Sequence, residues 1–427
     1  MSVRGSAWTA VRFGDLLKPR YGKALPAERR HPEALYPVVG SAGVMTSTDV
    51  PLVRDPVVLI GRKGNVGEVR FMPNGCWPID TTYYVVVPNE LEAAYLTHYL
   101  RHLDLKRLDS STATPSLRRQ DLEAQVLRFP DLLEQRRIVE ILEDQLSGIE
   151  RAVAGLKTIH QRLDVLERAL HQRALHGLLV PDDLSEGAGG DLIGGANPLD
   201  PATLDERVWD VPSTWVWVRL GDIFKVAVGT TPSRADPTLW DGSIPWVSSG
   251  EVAFNRVRST KESISAQGVS NLQRRVHPPG TVMLAMIGEG KTRGQAAILD
   301  INAAHNQNCA SIRVSETLIL PEYVFAFLKE RYLETRRGSS GGNQPALNKR
   351  RIESVPIPIP PLGTQRLIVE ELDALAINTG YVRRACSEGL SRAFGLQRAV
   401  FAAAFEGKLT GGHRNTEVTE ELADVQR

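Results

Sequence analysis

The sequence predicts an α+β chain built twice over. It comprises two mixed α/β domains, each followed by a long helix, with the two helices pairing antiparallel as a coiled coil. Three observations predict this. A series of identical residues relates the two halves, leucine-rich heptad spacing fills a segment at the end of each half, and strand-like runs precede each of those segments.

The repeat is the strongest of the three. Arg12-Phe13-Gly14-Asp15-Leu16 recurs as Arg219-Leu220-Gly221-Asp222-Ile223, with Trp8 matching Trp215. Further on, the copies align without a gap from Pro115/Pro345 to Leu179/Leu409. Along that stretch Leu117, Gln135, Arg136, Ile138, Val139, Glu140, Leu142, Leu166, Ala169, Ala174 and Gly177 each meet an identical residue. The earlier parts differ in length and share little. One part of the duplicated unit keeps a fixed geometry while the other diverges, as expected of a scaffold carrying two different readers.

In each domain the strands come first. VVLIG (57–61) and TYYVVV (82–87) have strand composition, and Leu96, Tyr99, Leu100 and Leu103 mark a helical face after them. In the second domain TVMLAMI (281–287) and residues 310–314 are the strands, and Val324, Phe327 and Leu328 mark the matching helix. Residues 131–176 then read as one long helix. Val139, Leu142, Leu146, Ile149, Val153 and Leu156 form a heptad seam that continues through Ile159, Leu163, Leu166 and Leu170 after one extra step of three, a stammer. No proline interrupts it, and Gly177 supplies the stop. At about 1.5 Å per residue it makes a rod of roughly 69 Å, too long to stand alone in water. The duplicated helix, with Ile368, Val369, Leu372, Leu375, Val382, Leu390, Ala393, Leu396 and Val400, is the expected partner. Thr379, Arg383 and Gly389 are weak seam positions, and arms that dock on another protein are the alternative. The boundaries are therefore residues 1–130 for the first domain, 131–179 for the central helix and 180–209 for an exposed acidic Gly/Pro linker. Residues 210–360 form the second domain, 361–409 the distal helix and 410–427 a flexible tail.

Composition bounds the function. At 427 residues, 42% hydrophobic with mean hydropathy −0.19, the chain is globular and larger than one core. No apolar run approaches the roughly 18 residues of a membrane span. The stretch MSVRGSAWTAVRFGDLL has no secretory core, and Cys76, Cys309 and Cys386 are scattered, so a reducing cytoplasm is expected. Net charge is only +1, yet basic residues exceed acidic ones in 1–130 and 210–360 while 177–209 is strongly acidic. Two mildly basic modules on a neutral frame suit contact with nucleic acid.

Catalytic signatures are weak. Ala285-Met286-Ile287-Gly288-Glu289-Gly290-Lys291-Thr292 imitates a phosphate-binding loop. A working loop needs a helix N-terminus at the phosphates, whereas Arg293–Leu299 reads as a turn into another strand. The first half has Leu59–Gly67 in its place, without Gly-Lys-Thr but with a glycine-rich hairpin. A hairpin tip contacting DNA phosphates through Arg62, Lys63, Lys291 and Arg293 is the preferred reading; an ATPase using Lys291 is the rival. The pair Cys309 and His305 reads as structural, and Asp182 and Asp183 as a solvated surface. Neither a cofactor-binding strand-turn-helix nor an amino-methylation tetrapeptide is present. Two polar loops, 107–120 and 336–351, carry donors for phosphates and base edges. Their candidates are Ser110, Ser111, Thr112, Arg118 and Arg119 in the first, and Arg336, Arg337, Ser339, Asn343, Gln344, Lys349 and Arg350 in the second. Ser248 and Ser249 complete the set; a plain surface turn is the alternative for both loops.

Two variable domains, each followed by a stretch like Pro360–Leu372 and a helix ending in Phe405-Glu406-Gly407-Lys408-Leu409, resemble the DNA specificity subunits of type I restriction–modification systems. Pro130–Leu142, His176–Leu179 and Val180–Ile193 match in the first copy, with Asp131 replacing a proline and Leu178 the lysine seen at Lys408. The resemblance implies that each domain reads one half of a bipartite, asymmetric double-stranded DNA sequence, with the helices setting the spacing. It implies a non-catalytic chain that binds no cofactor itself. It recruits two methyltransferase subunits that use S-adenosylmethionine, and motor-nuclease subunits that use ATP and Mg2+. A coiled-coil adaptor that does not read DNA is the second reading.

Overall fold

The computed structural model describes residues 8–109, 111, 114–200, 202, 209–270, 276–288, 290–337 and 347–410, the side chains of 270 and 335–337 excepted. It forms two compact units, one from Met1–Ile159 with Ala385–Arg427, the other from His160–Arg384. Each long helix, Leu132–Leu175 and Leu362–Phe405, contributes one part to each unit.

In the first unit Thr9–Arg12 pairs antiparallel with Val126–Phe129, next to the start of the central helix. Beyond this ribbon lies a four-stranded sheet in the order Arg20–Tyr21, Thr82–Val86, Val57–Gly61, Val69–Met72. A three-stranded sheet, Gly43–Thr48, Tyr36–Gly40, Trp77–Pro78, completes the domain. The run Val57–Gly61, apolar in four of its five residues, is buried on both faces, as expected for a central strand. Helix Ala93–His102 starts on the Glu92 side chain, which accepts from the amides of Ala94 and Tyr95. Its buried face, Tyr95, Leu96, Tyr99 and Leu100, shares a core with Phe13 and Val58 from the domain. Ile138, Leu142, Leu146, Ile149, Val400, Phe401 and Phe405 complete that core from the helices.

The second unit repeats this plan. Val216–Arg219 pairs with Pro356–Ile359, and helix Pro321–Glu330 packs over a sheet ordered Val226–Val228, Cys309–Ile312, Val282–Ala285, Ala296–Leu299, Asn255–Val257. The three-stranded sheet is Glu262–Ile264, Trp240–Val247, Ala304–His305. Ala174, Leu175, Ile368 and Leu372 bring the helices into its core.

The helices run antiparallel within each unit. In the second, His160 and then Asp164 and Glu167 face Arg383, and Glu167 also reaches Thr379. In the first, Leu156 packs on Gly389, where a Cβ would lie 3.0 Å from a leucine methyl. Both helices end on a left-handed glycine, Gly177 (φ +69°) and Gly407 (φ +73°). There the amides of Leu178 and Lys408 bond back to Arg173 and Ala403, a capping pattern that needs a residue free of Cβ strain.

Two expectations are corrected. The seam does not stammer: Ile159 and Leu166 are 43% and 47% exposed, and the unbroken heptad passes instead through His160 and Glu167. Following apolar residues misses this because Arg383 makes those positions polar; Val382, also taken for the seam, is 40% exposed. The acidic linker is not simply exposed either. Ile193 is buried in the second core, with Leu179, Val180 and Leu192 against it. Asp182 accepts from the Thr214 hydroxyl and from Trp215 Nε1 (2.9 Å), and the Asp183 amide donates to Thr364 Oγ1 (2.8 Å). The few apolar residues in that stretch outweigh its polar average once a core is beside them.

Candidate nucleic-acid interface

In the first domain three segments distant in sequence converge on the hairpin tip between Val57–Gly61 and Val69–Met72. The amides of Arg62 and Lys63 donate to Thr81 O (2.9 and 3.2 Å), and the Ser41 amide donates to Thr81 Oγ1 (3.3 Å). Gly64 lies close to Ser41, where an added Cβ would stand 3.5 Å from the hydroxyl oxygen; its φ of +76° suits glycine. The polar loop joins from the other side. Lys63 bridges to Ser116, the Gly64 amide donates to Pro115 O, and the Leu117 amide donates to Arg62 O (2.8 Å). Asp109 organises that loop, accepting from the Ser111 hydroxyl and from the amides of Ser111 and Ser116. These bonds, the hydroxyl first, hold its carboxyl below the usual range.

Arg62 is half-buried and held in place. Its guanidinium lies 5.0 Å from the Tyr21 ring centroid and donates to Asp80 O (2.9 Å). Lys63, Ser111 and Arg118 are exposed, whereas Arg119 pairs with Glu123 at 2.7 Å. Ser110 and Thr112 lie outside the described residues.

The second domain assembles the same way with different residues. The tip between Val282–Ala285 and Ala296–Leu299 is held by the Met286 amide donating to Asn308 O (2.8 Å), and Asn306 ties to the end of the neighbouring sheet at Val247 O (3.0 Å). That places the start of Ser248–Ser249 in the cluster; the Ser248 hydroxyl itself donates to Glu251 (2.7 Å). The polar loop returns to the tip through the Leu347 amide on Met286 O (3.0 Å), and Tyr332 donates to Lys291 O. Lys291, Lys349 and Arg350 are exposed, with Lys349 3.4 Å from Glu353. Arg336 and Arg337 end helix Tyr332–Arg337, their side chains outside the described set, as are Ser339, Asn343 and Gln344.

One candidate needs correction: Arg293 is only 8% exposed, so its guanidinium is not presented to a ligand surface. A Gly-rich tip gives no warning of this, because burial depends on segments that arrive from elsewhere. Sequence reasoning also missed Ser41, Thr81, Tyr21, Asn306 and Asn308, whose proximity to the tips has no local signal.

The phosphate-loop imitation is followed by strand Ala296–Leu299, not by a helix. Cys309 is buried and its thiol is pushed up to about 12, while burial drives the neighbouring His305 down to about 4; neither is poised for nucleophilic chemistry. Among the described residues no three His, Cys, Asp or Glu form a metal-binding group, and no helix is long and apolar enough to cross a membrane.

Comparison with known proteins agrees with the duplicated plan. The Escherichia coli type I restriction enzyme EcoDI specificity subunit is 20% identical over 412 residues, covering 95% of this chain and 90% of that protein. The EcoR124I/EcoR124II specificity subunit, also from Escherichia coli, is 26% identical over 186 residues, 43% of this chain and 45% of that one. A chain solved in work on complex assembly and conformational transition of the type I R-M system shares the fold. It has TM-score 0.66 and 17% identity, with 95% of this chain and 99% of that chain covered. The sequence profile described as the type I restriction modification DNA specificity domain matches residues 5–153 and again 212–380. Matched twice and over most of its length, the chain belongs to that family.

Proposed function

We propose that this chain is the sequence-specificity subunit of a type I restriction–modification complex. The first domain reads one half of a bipartite double-stranded DNA target and the second domain the other. The observation that carries this is the convergence, repeated in both domains, of a hairpin tip, a polar loop and a strand end into one surface of hydroxyls, amides and cations. The residues that line it, different in the two domains, suit two different half-sites. Exposed Lys63, Arg118, Lys291, Lys349 and Arg350 are matched to phosphates. Arg62, held over Tyr21, and Ser111 suit contacts to base edges or sugar.

The chain supplies recognition rather than chemistry. Two methyltransferase subunits using S-adenosylmethionine dock on the paired helices, and motor-nuclease subunits using ATP and Mg2+ complete the complex in the cytoplasm. Mapping methylated adenines in cells with and without the chain tests this. A bipartite motif lost on deletion is expected, and an unchanged methylome overturns it. Lys291→Ala is expected to lower the salt dependence of DNA binding by about one phosphate contact. Loss of ATP turnover by the purified chain on that substitution would favour the ATPase reading instead.

A further inference from the structure

The first domain carries a feature that phosphate contacts do not explain. Strands Tyr36–Gly40 and Gly43–Thr48 form a hairpin whose register breaks: Val38 faces Thr46, but Val39 faces Val44, leaving Met45 as an extra, bulged residue. A bulge turns neighbouring side chains away from strict alternation. Here it leaves two consecutive apolar residues in solvent, Val44 at 61% and Met45 at 60% exposed. Met45 is braced from behind, its Sδ 3.0 Å from where a Cβ on Gly40 would stand. The hairpin turn is continuous with the candidate interface through Ser41, which meets Gly64 and Thr81. It is flanked by Arg70, whose guanidinium lies 3.3 Å from where a Cβ on Gly43 would stand.

We infer that this bulged hairpin is the base-reading ribbon of the first domain, and that Val44 and Met45 select thymine through its 5-methyl group. The inference rests on the proposed reading of DNA and deepens it. A two-stranded ribbon fits the major groove, and on base edges there the apolar group is the thymine methyl. Arg70 beside the hairpin, 3.8 Å from Glu68, and Arg62 and Lys63 at the adjoining tip supply the charge that a phosphate-lined groove attracts. The corresponding pair in the second domain also breaks register, between Trp240 and Ile244, but the residues in the break, Asp241, Gly242 and Ser243, present no apolar side chain. Residues 248–261 separate its corresponding strands, Trp240–Val247 and Glu262–Ile264, and there a polar cavity is lined by Asp241, Ser243, Arg258, Lys261 and Ser263. With polar residues where the first domain has Val44 and Met45, the methyl dependence is expected in one half of the target only.

The test uses the full chain assembled with its methyltransferase subunits and duplexes carrying the mapped target. Each thymine is replaced in turn by uracil, which removes the methyl alone. One replacement in the half-site of the first domain is expected to weaken binding about fourfold, the worth of one buried methyl group. The double variant Val44→Ser, Met45→Ser changes only exposed positions and is expected to keep its melting temperature. It binds the thymine and uracil duplexes equally, while replacements in the other half-site act alike on both proteins. A half-site without thymine, an absent uracil effect, or one that persists in the variant overturns the inference. So does loss of methyltransferase assembly with the uracil effect intact, which assigns the patch to a protein partner. If the unaltered protein shows no sequence-specific binding at all, the underlying reading of the chain fails instead.

Discussion

Near the helices, the two recognition domains repeat each other's contacts; around their hairpin tips they do not. Gln135, fully buried, accepts from the Glu92 amide (2.8 Å) and donates to the carbonyls of Glu90 and Pro130 (both 2.9 Å). Gln365 accepts from the Leu320 amide and donates to Pro360 O (both 2.9 Å). Tyr95 donates to Arg128 O and Tyr323 to Pro358 O, the matching strand positions. Gly14 and Gly221 press on Glu123 and Glu353 so closely that a Cβ would stand within 2.7 and 2.6 Å of theirs. At the tips, a tight turn at 41–42 is replaced by residues 248–261, and 62–68 by 286–295. The fixed end holds each domain to its helices, where a small shift would be carried to every contact beyond it. The free end touches what differs between half-sites.

Three experiments press on that contrast. The largest effect is expected at the helix ends. Phe405 meets Tyr95 and Tyr99 edge-on at 5.4 and 5.0 Å, and its counterpart in the repeat, Leu175, is fully buried. Phe405→Ala is expected to destabilise the first unit by about 3–5 kcal/mol, and Leu175→Ala the second by about 2–5 kcal/mol. Hydrogen exchange resolved by segment checks this; either substitution opening both units equally breaks the claim that each helix end serves its own domain.

Acid comes next, and it weakens both units through buried histidines. Burial holds His305 neutral down to about 4, so on acidification the unfolded chain takes up the proton first. Stability is full above the ordinary value of 6.5 and is lost as pH falls toward 4, by up to about 3 kcal/mol from this group. His171 in the same unit is also lowered to about 4 by burial, with Lys329 adding to the shift. His98 and His102 give the first unit the same sign. Denaturant unfolding at pH 7 and pH 4.5 should show the second unit opening at lower denaturant in acid, with His305→Asn reducing that loss. A pH-independent midpoint contradicts the assignment.

The smallest effect sharpens the likeness of the fixed ends. Gln135→Leu and Gln365→Leu each strand a buried carbonyl, that of Pro130 or Pro360, at a cost of roughly 1–3 kcal/mol. Gln135 makes one more hydrogen bond, so its loss is expected to be the larger. Calorimetry of the two variants gives the order; the reverse order shows that the glutamines are not equivalent clamps.

Much of this architecture is legible in the sequence. The duplication, the proline-free helices, their glycine stops and the strand runs at 57–61 and 82–87 are local signals, set by helical and strand periods and by which residues tolerate a left-handed backbone. The pairing of the tips with the polar loops is not. Nor are the polar seam at Arg383, the burial of Arg293 and Ile193, or the bulge at Met45. Each of these depends on what arrives opposite a residue. Arg383 meets Asp164 and Glu167 from the other helix, and Ser41, Thr81 and Ser116 reach the first tip from three different segments. Periodicity along a chain states which face is apolar. Whether a polar side chain on that face finds a partner, and whether an apolar one stays in water, was decided only when the distant strands and helices came together.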